Sequence, residues 1–124
     1  MLSVRKTSAC PLDYSLCNQT VTVYHNDGGN IRRTVCDRAF LDFKKTQNTD
    51  KTGSSQVNTF LLVIPCDKQP VFVGDKVILG IGPEIATRDA WAAFIPANTP
   101  GLVVVRYADM KCWRGKPCHV EAGG

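Results

Sequence analysis

The sequence predicts a mostly β protein, a small antiparallel β-barrel or sandwich with one short helix and one long inter-strand loop. Three observations support this. Short apolar or alternating runs recur along the chain, Gly, Asn and Pro turn chemistry separates them, and only one stretch carries a helix-start signal. The 124 residues fit one domain. A chain of that size buries roughly two thirds of its unfolded surface, enough for a core without covalent staples. The expected organisation is an N-terminal arm over residues 1–18 and a single β-barrel-like domain over residues 19–124.

Residues 1–18 show no clean period and contain Pro11, which is why they read as an irregular arm. From Gln19 the pattern sharpens: Val21, Val23 and His25 alternate with Thr20, Thr22 and Tyr24. Asn26-Asp27-Gly28-Gly29 supplies a turn that tolerates positive φ, and Ile31 to Cys36 resumes the strand pattern. Residues 19–37 therefore read as a hairpin. A further β-prone run contains Phe40, Leu41 and Phe43 and ends at Lys44-Lys45.

The next segment is Thr46-Gln47-Asn48-Thr49-Asp50-Lys51-Thr52-Gly53-Ser54-Ser55-Gln56, which has no apolar residue. It cannot bury itself, so it reads as a long polar loop and as the candidate channel or partner contact. Val57 to Pro65 contains Phe60-Leu61-Leu62-Val63-Ile64, suited to a strand covered on both faces. Pro65 and Pro70 bracket a turn. Val71-Phe72-Val73 leads through Gly74-Asp75-Lys76 to a short strand at Val77-Ile78-Leu79, closed by Gly80, Gly82 and Pro83. Thr87 is placed to cap one short helix through Trp91. Leu102 to Tyr107 predicts a strand, and Trp113 to Val120 a final pairing, giving six or seven strands in all.

Composition excludes several functions. The net charge of +4 is mild, and its one local concentration, Arg106, Lys111, Arg114 and Lys116, is offset by Asp109. A solvated rim is the expectation there. No run approaches the ~20 apolar residues of a membrane span. No apolar stretch follows Arg5 and Lys6, so no secretory signal is expected. The six cysteines, Cys10, Cys17, Cys36, Cys66, Cys112 and Cys118, are accordingly expected as reduced thiols. Cys112 and Cys118 are spaced too widely for a zinc knuckle, so no metal or other cofactor is expected. His25 and His119 have no local nucleophile pattern beyond the adjacent Cys118. Gly80-Ile81-Gly82 lacks the third glycine and the following helix of a dinucleotide motif. No catalytic residue is assigned, and an enzyme is not expected.

Four segments taken in order carry a resemblance. They are Thr20-Val21-Thr22-Val23-Tyr24-His25, Phe60 to Pro65, Phe72-Val73-Gly74-Asp75-Lys76-Val77-Ile78-Leu79-Gly80, and Cys112-Trp113 to Cys118-His119-Val120-Glu121-Ala122-Gly123-Gly124. This order resembles small prophage minor capsid proteins of the head–tail connection, the head-closure or stopper type. The chain departs from that pattern in its cysteine content and in Cys118-His119 standing where a His-Trp pair closes the others.

The resemblance implies a subunit of a homo-oligomeric ring, a hexamer, in the neck of a tailed-phage virion. Such a subunit is assembled in the host cytoplasm and has no membrane partner. It joins a portal-side adaptor protein to a tail-terminator protein. Residues 46–56 would then face the channel and touch packaged DNA passively, since Asp50 and Lys51 leave them net neutral. The other expectations are a tail-terminator or tail-tube-end protein, or a free small β binding domain.

Overall fold

The computed structural model describes residues 12–50 and 53–124, with the side chains of residues 44–58 left out of the description. Among the described residues lie seven strands and one helix: β1 (Gln19–Asp27), β2 (Asn30–Asp50), β3 (Gly53–Pro65), β4 (Lys76–Leu79), α1 (Arg88–Ala93), β5 (Leu102–Val104), β6 (Tyr107–Trp113) and β7 (Lys116–Gly123). The strands form one antiparallel sheet in the order β5-β4-β1-β2-β3-β7-β6. The fold is mostly β, as expected.

The sheet curls, and its two ends are joined by a single bend. β5 and β6 lie at opposite ends of the strand order yet are separated in the chain only by Val105 and Arg106. At that bend Gly74 N–H donates to the Val105 carbonyl, and Val105 N–H donates to the Asp75 carbonyl at 2.9 Å. Arg106 N–H then switches partner and donates to Gly123 at 2.8 Å, on the β7 side. One bent segment thus serves both ends of the sheet, a barrel-like closure that limits exposed edge.

Side-chain alternation fills the concave face. Val21 and Val23 from β1, Leu41 from β2, Phe60, Leu62 and Ile64 from β3, Val77 from β4, and Val120 and Ala122 from β7 form one buried cluster with Val71 and Val105. The first hairpin follows the sequence pattern. Asp27 pairs with Asn30, and Gly28 and Gly29 take φ of 59° and 98°, the positive values a two-residue turn requires here.

The opposite face of β1 is also covered. Thr22 Oγ1 donates to the Gly80 carbonyl at 2.7 Å and accepts from Gly82 N–H at 2.9 Å. The Tyr24 hydroxyl donates to the Pro83 carbonyl at 2.6 Å, and Arg33 Nη2 donates to the Gly82 carbonyl at 2.6 Å. Gly82 lies so close to the Tyr24 ring and hydroxyl that a Cβ there has no room. Helix α1 completes this cover. Thr87 caps it by accepting from Ala90 N–H at 3.0 Å, as its position in the sequence predicts. Phe94 then meets Tyr24 edge to face, with ring centroids 4.8 Å apart. Under the helix, Lys76 Nζ donates to the Trp91 carbonyl at 2.6 Å and sits 4.1 Å from the Trp91 ring, where burial pushes its pKa down.

Two expectations need correction. Residues 46–50 and 53–56 do not form a loop. β2 and β3 continue through them as a ladder: Thr46 pairs with Val57, Gln47 with Gln56, Asn48 with Ser55, Thr49 with Ser54, and Asp50 with Gly53. Lys51 and Thr52 lie outside the described residues. Backbone pairing with the partner strand needs no apolar side chain, so the polar composition misled the assignment. Leu102 to Tyr107 is likewise not one strand but two, divided at the Val105–Arg106 bend. Of the N-terminal arm, residues 1–11 lie outside the described residues, and residues 12–18 form no strand or helix.

Candidate functional site

The β2–β3 ribbon extends beyond the rest of the sheet. The β1 pairing with β2 ends at Gln19–Ala39, and the β7 pairing with β3 ends at Leu61–Gly123. From Lys44–Thr59 to Asp50–Gly53 the two strands, among the described residues, pair with each other alone. At ~3.4 Å per residue, that two-stranded section reaches ~20 Å past the barrel. Nine of the eleven residues assigned from sequence, Thr46 to Asp50 and Gly53 to Gln56, lie in it.

A groove of about 970 Å³ opens at the root of this ribbon. Phe43 and Thr59 form the ribbon side, Val73 and Gly74 the turn before β4, Pro96 and Pro100 the segment after α1, and Val103 to Arg106 the floor. Phe43 and Val73 are exposed there. The lining is mainly apolar, with polar groups from the backbone, Thr59 and Arg106, which suits contact with an apolar segment.

Two histidine arrangements flank the barrel. Asp75, 2% exposed, accepts from His25 Nδ1–H through Oδ1 at 2.6 Å and from Phe72 N–H through Oδ2 at 2.8 Å. An ionised carboxylate only accepts, which sets the His25 tautomer with Nδ1 as donor. The imidazole leans on the Phe72 ring at 5.2 Å. Asp75 thereby ties β1 to the turn that leads into β4.

On the outer face of β3 and β7, the described part of the N-terminal arm is held by His119. The Tyr14 hydroxyl and His119 Nδ1 are 2.6 Å apart, and His119 Nε2 lies 2.9 Å from Glu121 Oε2. With Nε2–H donating to the Glu121 carboxylate, Nδ1 is left to accept from the Tyr14 hydroxyl. Cys17 Sγ reaches the Val63 carbonyl at 4.0 Å.

Among the described residues the cysteines are free thiols. Burial pushes the thiols of Cys17, Cys36 and Cys66 up from their ordinary pKa, which keeps them protonated and poor nucleophiles. Cys118 is buried, and its Sγ is directed at the Lys116 carbonyl, 3.9 Å away. Among the described residues no group of three or more His, Cys, Asp or Glu side chains is placed to hold a metal ion.

Sequence reasoning missed the groove, the His25–Asp75 pair and the Tyr14–His119–Glu121 chain. One signal was available: His119 and Glu121 are two apart on a strand and so must share a face. No helix of the described residues is long and apolar enough to cross a membrane. No protein-family model, curated protein or solved structure matches the chain.

Proposed function

We propose that the chain is a structural subunit of a tailed-phage neck, a head-closure protein that assembles as a ring and joins the DNA-filled head to the tail. The observation that carries this reading is the β2–β3 ribbon, which continues to Asp50–Gly53 with no third strand among the described residues. An isolated two-stranded ribbon is marginal in water, so a ribbon of this reach gains its full order from contacts outside its own barrel. In a ring, neighbouring subunits and the channel would supply those contacts. Once ordered by those contacts, a paired ribbon has a fixed reach and serves the channel role proposed for residues 46–56 better than a slack loop.

The test is the composition and image reconstruction of purified particles. The chain is expected in the particle as a ring between the portal-side adaptor and the tail. Finding it abundant in the lysate and absent from intact particles would refute the neck role.

The groove favours a second reading, a free small β binding domain whose ligand is an apolar peptide segment lying along Val103 to Arg106. A monomer that captures such peptides, and loses them on Phe43→Asp, would favour that reading over the ring.

A further inference from the structure

We infer that the β6–β7 hairpin tip is a contact for the phosphate backbone of nucleic acid. Trp113 pairs with Lys116, so Arg114 and Gly115 alone make the turn, with φ of 51° and 79°. Both central positions of such a turn favour Gly or Asn, and a β-carbon at positive φ carries a conformational cost. Arg114 is the non-glycine residue at positive φ among the described residues. Its side chain lies over the Trp113 ring, the guanidinium carbon 5.5 Å from the ring centroid. That ring is itself 44% exposed. The fold therefore carries a strained cation and an exposed indole at one tip, and neither contributes to the buried core.

Cationic side chains outnumber acidic ones around them. Lys111, Arg114 and Lys116 are exposed, and among the described residues none of the three makes an ion pair. The nearest acidic positions in the ladder are Asp109 and its partner Glu121, two register steps below Lys111 and His119. Two steps are about 7 Å along the strand, so these two acids lie toward the barrel. Nearer the turn is Asp67, next to Cys66, whose N–H donates to the Cys118 carbonyl at 3.1 Å. It is followed by the exposed Lys68, which leaves the tip net cationic. A guanidinium flanked by two ammonium groups complements successive phosphates. The exposed indole adds apolar contact with sugar or base and holds the guanidinium in place. This inference stands on the hairpin alone and does not depend on the neck reading.

The experiment is fluorescence anisotropy of the whole chain with a labelled 20-base-pair DNA duplex. Binding is expected at 50 mM salt. If three phosphates are neutralised, affinity should fall about fortyfold by 200 mM. The triple variant K111Q/R114G/K116Q keeps a residue suited to positive φ at the turn and so should stay folded, which circular dichroism checks. It should bind at least tenfold more weakly than the parent, with a shallower salt dependence. Equal binding by a correctly folded triple variant, or no binding by the parent at 50 mM salt, overturns the inference. Equal affinity for poly-glutamate of matched charge also overturns it, and points to an acidic protein surface.

Discussion

The buried Asp75 carboxylate holds His25 at 2.6 Å and the Phe72 amide at 2.8 Å, so one side chain joins β1 to the turn that enters β4. Replacing it with asparagine leaves one acceptor oxygen for two donors and turns an amide N–H₂ toward the other. Asp75→Asn should lower stability by about 2 kcal/mol, the scale of a buried hydrogen bond to a charged group. Urea denaturation measures this, with the exposed Asp67→Asn as a control that should move little. Equal midpoints for the two variants would show that Asp75 does not tie the elements together.

The thiols should separate by burial. Under native conditions Cys112, which is exposed, should alkylate first, and Cys17, Cys36 and Cys66 should react slowly because burial holds their thiols protonated. Timed alkylation with peptide mapping reads the order. The same shifts act on stability. A thiol whose pKa is raised by folding binds its proton more tightly than in the unfolded chain. Its contribution is therefore complete below about pH 8.5 and is lost as the pH rises further. Replacing Cys36 and Cys66 with alanine should flatten the alkaline loss of stability. An unchanged alkaline limb in that variant would contradict the assignment.

Gly123 has room for no side chain. A Cβ there would lie 2.7 Å from the Phe60 carbonyl oxygen, which is backbone, and against the Tyr107 ring. Gly123→Val should cost about 1–3 kcal/mol through forced separation of β3, β7 and β6. A thermal midpoint equal to the parent would show that the strands give way freely.

Ribbon and core should respond in opposite ways. Replacing residues 46–56 with a two-residue Asn-Gly turn removes only the section that pairs with itself, so the barrel should melt within a few degrees of the parent. Leu62, fully buried, should cost about 2–5 kcal/mol on Leu62→Ala. Leu62→Asp should prevent folding, because it buries an unpaired charge. If the chain is the proposed neck subunit, particles with the shortened ribbon should form a neck but retain packaged DNA weakly. Particles with the shortened ribbon that keep DNA and infect like the parent would exclude the channel role and leave a joining role.

Much of the fold was legible where side chains encode it locally. The alternation at Val21 and Val23, the Gly28-Gly29 turn and the Thr87 cap each act within a few residues, and each stands where the pattern places it. The polar ribbon was not legible, because a ladder is a property of two backbones and its residues carry no apolar period. The bend at Val105–Arg106 was hidden for a similar reason. Its cause is a change of hydrogen-bonding partner from Asp75 to Gly123, residues distant from it in sequence. The candidate site followed the same division. Residues 46–56 stood out by composition, whereas Asp75 and His25 meet only after folding, across fifty positions of chain.

The place of β7 has a kinetic meaning. It is the last strand in sequence, yet it sits between β3 and β6, pairing Leu62 with Ala122. Until residues 116–123 arrive, β3 presents an unsatisfied row of amides and carbonyls beside Leu61 and Val63. Such a row is a template on which another unfinished copy can add. Contacts this distant in sequence also slow the productive search relative to local hairpins. The chain should therefore be most prone to self-association while it folds, and co-expression of a peptide carrying residues 116–123 should raise the yield of soluble protein.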